Sequence, residues 1–152
     1  MLRNSSTIAL PPTGRSAPVI GASTGIEPLF RLTDPHHPDF LHPAARPVLA
    51  ETGGDGLIRE VTRHGRLPAG GPVGDSVRDV LAVATQIQPS GHLAMVSAIQ
   101  SCVDEAVAKT VNLPTTATPA DICDVYQAAW EAGCKGITVY RDGSRSSQPK
   151  AL

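Results

Sequence analysis

The sequence lacks any surplus of basic charge: 13 Lys and Arg stand against 14 Asp and Glu, a formal net charge of −1, with no long basic run. Neither nucleic acid nor an anionic membrane surface is expected as a partner, since both are gripped through clustered cations. No apolar stretch approaches the roughly 20 residues that cross a bilayer, and the N-terminus has no charged-then-apolar leader, so a cytoplasmic location is expected. Cysteine is scarce. Cys102, Cys123 and Cys134 are an odd number without a CxxC pair, which indicates neither a disulfide framework nor a zinc knuckle. Aromatic residues make up only 3%, whereas Gly and Pro number 14 each and crowd the region before position 75; the first half reads as loop-rich and the second as regular.

With 152 residues and 41% apolar content, a single domain over 1–152 is expected, with 31–75 a loop-rich region of its own character. Ser6 to Leu10 reads as a short strand stopped by Pro11 and Pro12. Short helices fit Ala44 to Glu51 and Leu57 to Arg63 between the prolines. Ser76 can cap a helix running to Ala84, with Val77, Val80, Leu81 and Ala84 on one face. Ser90 precedes a longer helix reaching about Ala106, where Leu93, Val96, Ile99 or Gln100, and Val103 recur at helical spacing. "KTVNLP" is extended, Thr118 and Pro119 open a helix to Ala132 that Gly133 stops, and "GITVY" reads as a strand ending in the turn "RDGSR". The strand–helix–strand order argues for parallel strands covered by helices, because a parallel crossover needs about a dozen residues. The fold class is α/β, an open sheet or part of a barrel.

Three blocks, "LRNSSTIALPPTG", "STGIEPLF" and "AKTVNLPTTATPADICDVYQAAWEAGCKGITVYRDGSR", together resemble the last stretch of the catalytic barrel of adenosylcobalamin-dependent (class II) ribonucleotide reductases. The likeness is strongest from Lys109 to Arg145, good from Leu2 to Phe30, and thin between Arg31 and Gly74. It implies a partial ribonucleotide-reductase-like barrel of short strands covered by helices. It also implies a PTG segment set against substrate phosphates, and a thiyl-forming cysteine on a finger loop upstream of the part that matches.

The resemblance maps Pro12, Thr13 and Gly14 onto the phosphate loop, with Arg15 and Ala17 standing where the family carries hydroxyls. A phosphate site aims backbone N–H groups at the anion and adds hydroxyl donors. Here Arg15, which can pair with phosphate through two parallel hydrogen bonds, and Ser16 compensate for the lost hydroxyls. Thr13, Gly14, Arg15 and Ser16 are therefore the candidate ligand residues, and the competing reading is a loop that merely turns the chain. Glu27 and Arg15 are the candidate catalytic pair: a carboxylate beside the loop can orient an arginine or act as a base, and ion pairing with Arg15 or Arg31 is its simpler role. Lys109, Asn112, Tyr140 and Arg141, with Asp142, form a second tier at strand ends and their turn.

His36, His37, Asp39 and His42 lie close together in "DPHHPDFLHP", but the spacing fits no standard metal motif and the prolines read as a stiff surface loop, so no metal site is expected. Cys123 and Cys134 read as core residues, and Cys102 either leaves space inside or exposes a thiol. Radical reduction needs a thiyl cysteine, a reducing cysteine pair, a carboxylate and a cobalamin surface held together, and none is recognisable. Three functions follow as expectations. The first is a stand-alone, repurposed non-radical enzyme (cyclisation, elimination or isomerisation) or ligand-binding protein using the old phosphate pocket. The second is a split reductase subunit that takes adenosylcobalamin only when a partner chain completes it, and the third is a nucleotide-sensing module. In each, the ligand is a small anionic or nucleotide-like molecule. A homodimer or a heterologous partner is expected to cover the open edges of a cut barrel.

Overall fold

The computed structural model describes residues 3–20, 22–34, 37, 39–71 and 73–145. In chain order the elements are α1 (Ser16–Val19), α2 (Ala45–His64), α3 (Asp75–Val80), a 3-10 turn (Ala84–Gln86), α4 (Pro89–Gln100), β1 (Thr110–Leu113), α5 (Pro119–Glu131) and β2 (Thr138–Arg141). The described residues fall into two compact units, one within Met1–Glu27 and Ile87–Pro149, the other within Pro28–Gln86.

The first unit is built on β1 and β2, which pair in parallel with Thr110 opposite Thr138, Asn112 opposite Tyr140 and Leu113 opposite Arg141. The crossover between them is α5. Thr118 starts that helix by accepting from the Asp121 amide while the Asp121 carboxylate accepts from the Thr118 amide and hydroxyl, and Pro119 occupies the first turn, where its missing N–H costs nothing. Gly133, at φ 72, ends the helix in the left-handed conformation that glycine adopts without strain. Period-two alternation then sorts β1: Val111 and Leu113 are buried in one apolar cluster with Leu93, Val125 and Ala129, while Thr110 and Asn112 turn the other way. The Leu113 carbonyl accepts from the Asp142 amide at 2.9 Å on the β2 side. Successive backbone groups in a strand point to opposite sides, so the N–H and C=O of Thr110 and Asn112 face the outer margin of β1.

The second unit packs Leu32, Leu41, Ala45, Leu49, Leu57, Val61, Leu67, Val73, Leu81 and Val83 together. Gly54 breaks α2 into two helical halves, at φ 59 and ψ −156, so the two short helices expected here share one kinked element. Arg78 donates from Nε to the Val73 carbonyl and from a terminal nitrogen to the Pro68 carbonyl, and Gln86 donates to the Leu67 carbonyl, which secures the glycine- and proline-rich turn between α2 and α3. The described residues of the 31–75 stretch all lie in this unit.

Several local expectations are corrected. Ser6–Leu10 is not a strand: the Thr7 and Ile8 amides are taken by the Asp104 carboxylate, and the Ile8 and Leu10 carbonyls accept from the amides of 104, 105 and 108 without a regular ladder. The helix expected from Ser76 begins at Asp75 behind Gly74 and stops at Val80, which is 79% exposed; a short apolar period overstated its buried face. The helix expected to reach Ala106 stops at Gln100, whose buried amide donates to the Glu105 carbonyl and accepts from the Lys135 amide, so Gln100 and not Ile99 continues the inner stripe. Cys123 is exposed on α5, Cys134 packs at the edge of the first unit's core, and Cys102 is an exposed thiol.

Candidate functional site

Thr13 and Gly14 are half-buried and Arg15 and Ser16 exposed, at the point where the chain enters α1; the Ala17 amide closes that turn on the Thr13 carbonyl at 3.0 Å, and Ala17 itself is buried. The loop from Pro11 to Gly25 is narrow at its neck. Gly25 sits at φ +61, and a Cβ there would lie 3.7 Å from the Pro11 carbonyl oxygen. A surface loop of about 6–16 residues with adjoining ends is a compact Ω-type loop, a form often used for binding.

Two residues beyond the neck stands Glu27. One carboxylate oxygen accepts from Lys109 Nζ at 2.9 Å and the other from the Thr110 amide at 2.5 Å. The Lys109 side chain is only 2% exposed and that of Glu27 27%, so the pair is a part-buried ion pair in which a nearly enclosed ammonium has its counter-charge. The expected partner, Arg15 or Arg31, is replaced by Lys109; Arg31 donates instead to the Thr33 hydroxyl at 3.4 Å. Composition around Glu27 and Lys109 carries no sign of this contact, because it spans 82 positions.

The second-tier residues separate. Asn112 and Tyr140 are register neighbours, half-buried, on the face of the sheet opposite Val111 and Leu113. Arg141 donates to the Thr115 carbonyl at 2.7 Å, and Asp142 continues the ladder through its amide. Asp104 was not foreseen as a site residue, yet its carboxylate takes up the amides of the N-terminal segment, and its pKa is lowered because the Thr7 and Ile8 amides and the Thr7 hydroxyl all donate to it. In the second unit, a cleft of about 360 Å³ is lined by Glu60, His64, Arg66, Leu67 and Gln86, residues that carried no motif.

The histidine-rich stretch gives no metal centre among the described residues. His42 Nδ1 accepts from the Ala44 amide and the His37 amide donates to the Asp34 carboxylate, while His36 lies outside the described residues. The donor set does not fit cobalamin radical chemistry either: the three cysteines are free, Cys123 on α5, Cys102 just past α4 and Cys134 just past α5, two of them exposed and one against an apolar core.

A family model described as "Ribonucleotide reductase, barrel domain" matches residues 58–140. The chain belongs to the ribonucleotide reductase family. It is 40% identical over 159 residues, 96% of its own length, to the vitamin B12-dependent ribonucleoside-diphosphate reductase of Mycobacterium tuberculosis (strain CDC 1551 / Oshkosh), of which it covers 22%. To the enzyme of the same name from Thermoplasma acidophilum it is 34% identical, covering 97% of this chain and 20% of that one. Among solved structures, the alpha subunit of the Actinobacillus ureae class Id ribonucleotide reductase superposes with a TM-score of 0.78 at 18% identity, covering 93% of this chain and 27% of the subunit. The chain thus spans about a fifth of the length of the relatives it matches. The α/β class and the partial barrel expected from the sequence are borne out: two parallel strands under helices form an unclosed piece of the family's barrel. No helix among the described residues is long and apolar enough to cross a membrane.

Proposed function

We propose that this chain serves as the phosphate-binding side of a ribonucleotide reductase barrel, with Thr13, Gly14, Arg15 and Ser16 holding the anionic end of a nucleotide. A completing polypeptide supplies the radical-forming cysteine and the adenosylcobalamin surface, and it also covers the outer margin of β1, for which a second copy of this chain is the competing cover. The observation that carries the reading is the loop itself: closed at its neck between Pro11 and Gly25, with Arg15 and Ser16 exposed on it, in a chain that follows the B12-dependent reductases over 96% of its length. Against the repurposed non-radical enzyme, its candidate base Glu27 is engaged in the fold, with one oxygen on Lys109 and the other on the Thr110 amide.

Ligand-induced melting shifts test this, because a ligand that binds the native state raises its apparent stability. A nucleoside diphosphate is expected to raise the Tm of the purified chain, and adenosylcobalamin to leave it unchanged until the completing polypeptide is added. Arg15→Ala is expected to weaken nucleotide affinity about tenfold, the loss of one charge-assisted hydrogen bond. A Tm indifferent to nucleoside diphosphates, or an affinity indifferent to Arg15→Ala, overturns the assignment.

A further inference from the structure

Both ends of the Pro11–Gly25 loop are staked to one short stretch of chain. On the entry side, the Ile8 carbonyl accepts from the amides of Asp104 and Glu105, and the Leu10 carbonyl accepts from the Ala108 amide at 3.2 Å. On the exit side, Glu27 accepts from Lys109 Nζ and from the Thr110 amide. Residues 104–110 therefore act as a common footing that leads directly into β1. The exit contact is in addition an ion pair: Glu27 meets the Lys109 ammonium as well as the Thr110 amide, and donors from consecutive residues on its two oxygens fix the plane of the carboxylate as well as its position.

We propose that Glu27 is a positioning residue for the loop, and that Lys109 is the buried counter-ion that holds it in place. Glu27 acts through Lys109 and the Thr110 amide. It sets where the loop leaves the footing, and so where Thr13 to Ser16 stand relative to β1. The consequence for affinity rests on the phosphate-loop reading above; the clasp itself does not.

The test follows amide hydrogen exchange in the wild-type chain, in Glu27→Ala and in the double variant Glu27→Gln/Lys109→Met, which removes both charges without leaving either unpaired. Glu27→Ala is expected to speed exchange of the Thr110 amide and of the loop's hydrogen-bonded amides, those of Ala17, Ile20 and Ala22, about tenfold, with the amides of α5 unchanged, and added formate, entering between Lys109 Nζ and the Thr110 amide, is expected to restore protection. Inorganic pyrophosphate should bind the variant about tenfold more weakly, with formate restoring that too. Loop exchange that stays at the wild-type rate in both variants, or that rises equally in α5, overturns the clasp. If wild type fails to bind pyrophosphate while loop exchange still answers to Glu27 and formate, the phosphate reading falls and the clasp stands. Should Glu27→Ala fail to fold, the double variant carries the same exchange comparison.

Discussion

Asp104 and Thr7, 97 positions apart, are joined twice: one carboxylate oxygen accepts from the Thr7 amide at 2.8 Å and from the Thr7 hydroxyl at 2.9 Å, with the Ile8 amide as a third donor at 3.0 Å. A segment that forms no strand has its Thr7 and Ile8 amides held by one acidic side chain, while its Ile8 and Leu10 carbonyls accept from backbone amides of residues 104–108. Asp104→Ala removes the acceptor outright, and it is expected to release the Thr7 and Ile8 amides to near-unprotected exchange while β1 and β2 stay protected. The same contact has a pH dependence. Its donors lower the folded-state pKa of Asp104 below the ordinary 3.8, so its contribution is complete above that value and is lost as pH falls through the folded pKa. Protection of Thr7 that survives in the alanine variant would remove Asp104 from this role.

The capping box of α5 gives a second expectation. Thr118→Ala deletes the acceptor for the Asp121 amide and the hydroxyl that donates to the Asp121 carboxylate, a change that costs about 1 kcal/mol in comparable caps. Chemical denaturation should show that loss with an unchanged denaturant slope. Since those hydrogen bonds from Thr118 also hold Asp121 below its ordinary pKa, the carboxyl of Asp121 should titrate closer to 3.8 in the variant, a shift that NMR can follow.

Two glycines only two positions apart in α2 should respond with opposite sign. Gly54 lies at φ 59 and ψ −156, a region closed to residues with a Cβ, so Gly54→Ala is expected to destabilise the second unit by about 1–3 kcal/mol although no atom would meet the new methyl. Gly56 is helical with open space around it, and Gly56→Ala is expected to stabilise by up to about 1 kcal/mol. Equal effects from the two substitutions would mean that the kink is not fixed by Gly54.

What the sequence made legible was the local chemistry of its second half. Thr118, Pro119 and Gly133 announce α5 because caps and stops act within a turn, and Val111 and Leu113 announce the buried face of β1 because strand alternation is a local rule. The first half was less readable. Ser6–Leu10 has strand-like residues, but whether it joins a ladder depends on Asp104, far along the chain, and the Val77–Ala84 stripe was too short to tell a helix face from a chance spacing. In the candidate site, Glu27 and Lys109 were each singled out, yet their pairing was not, since nothing in either neighbourhood encodes a contact across 82 positions. The resemblance supplied the loop, and the geometry supplied its anchor.

The carboxylate of Glu27 occupies the spot beside the Thr110 amide where the carbonyl of an adjoining strand would otherwise sit. The first backbone donor left along that side of β1 belongs to Asn112. A strand annealing there meets the Thr110 carbonyl and the Asn112 amide but finds the Thr110 amide already taken, so an acidic side chain acts as a stop on sheet growth at the near end of β1.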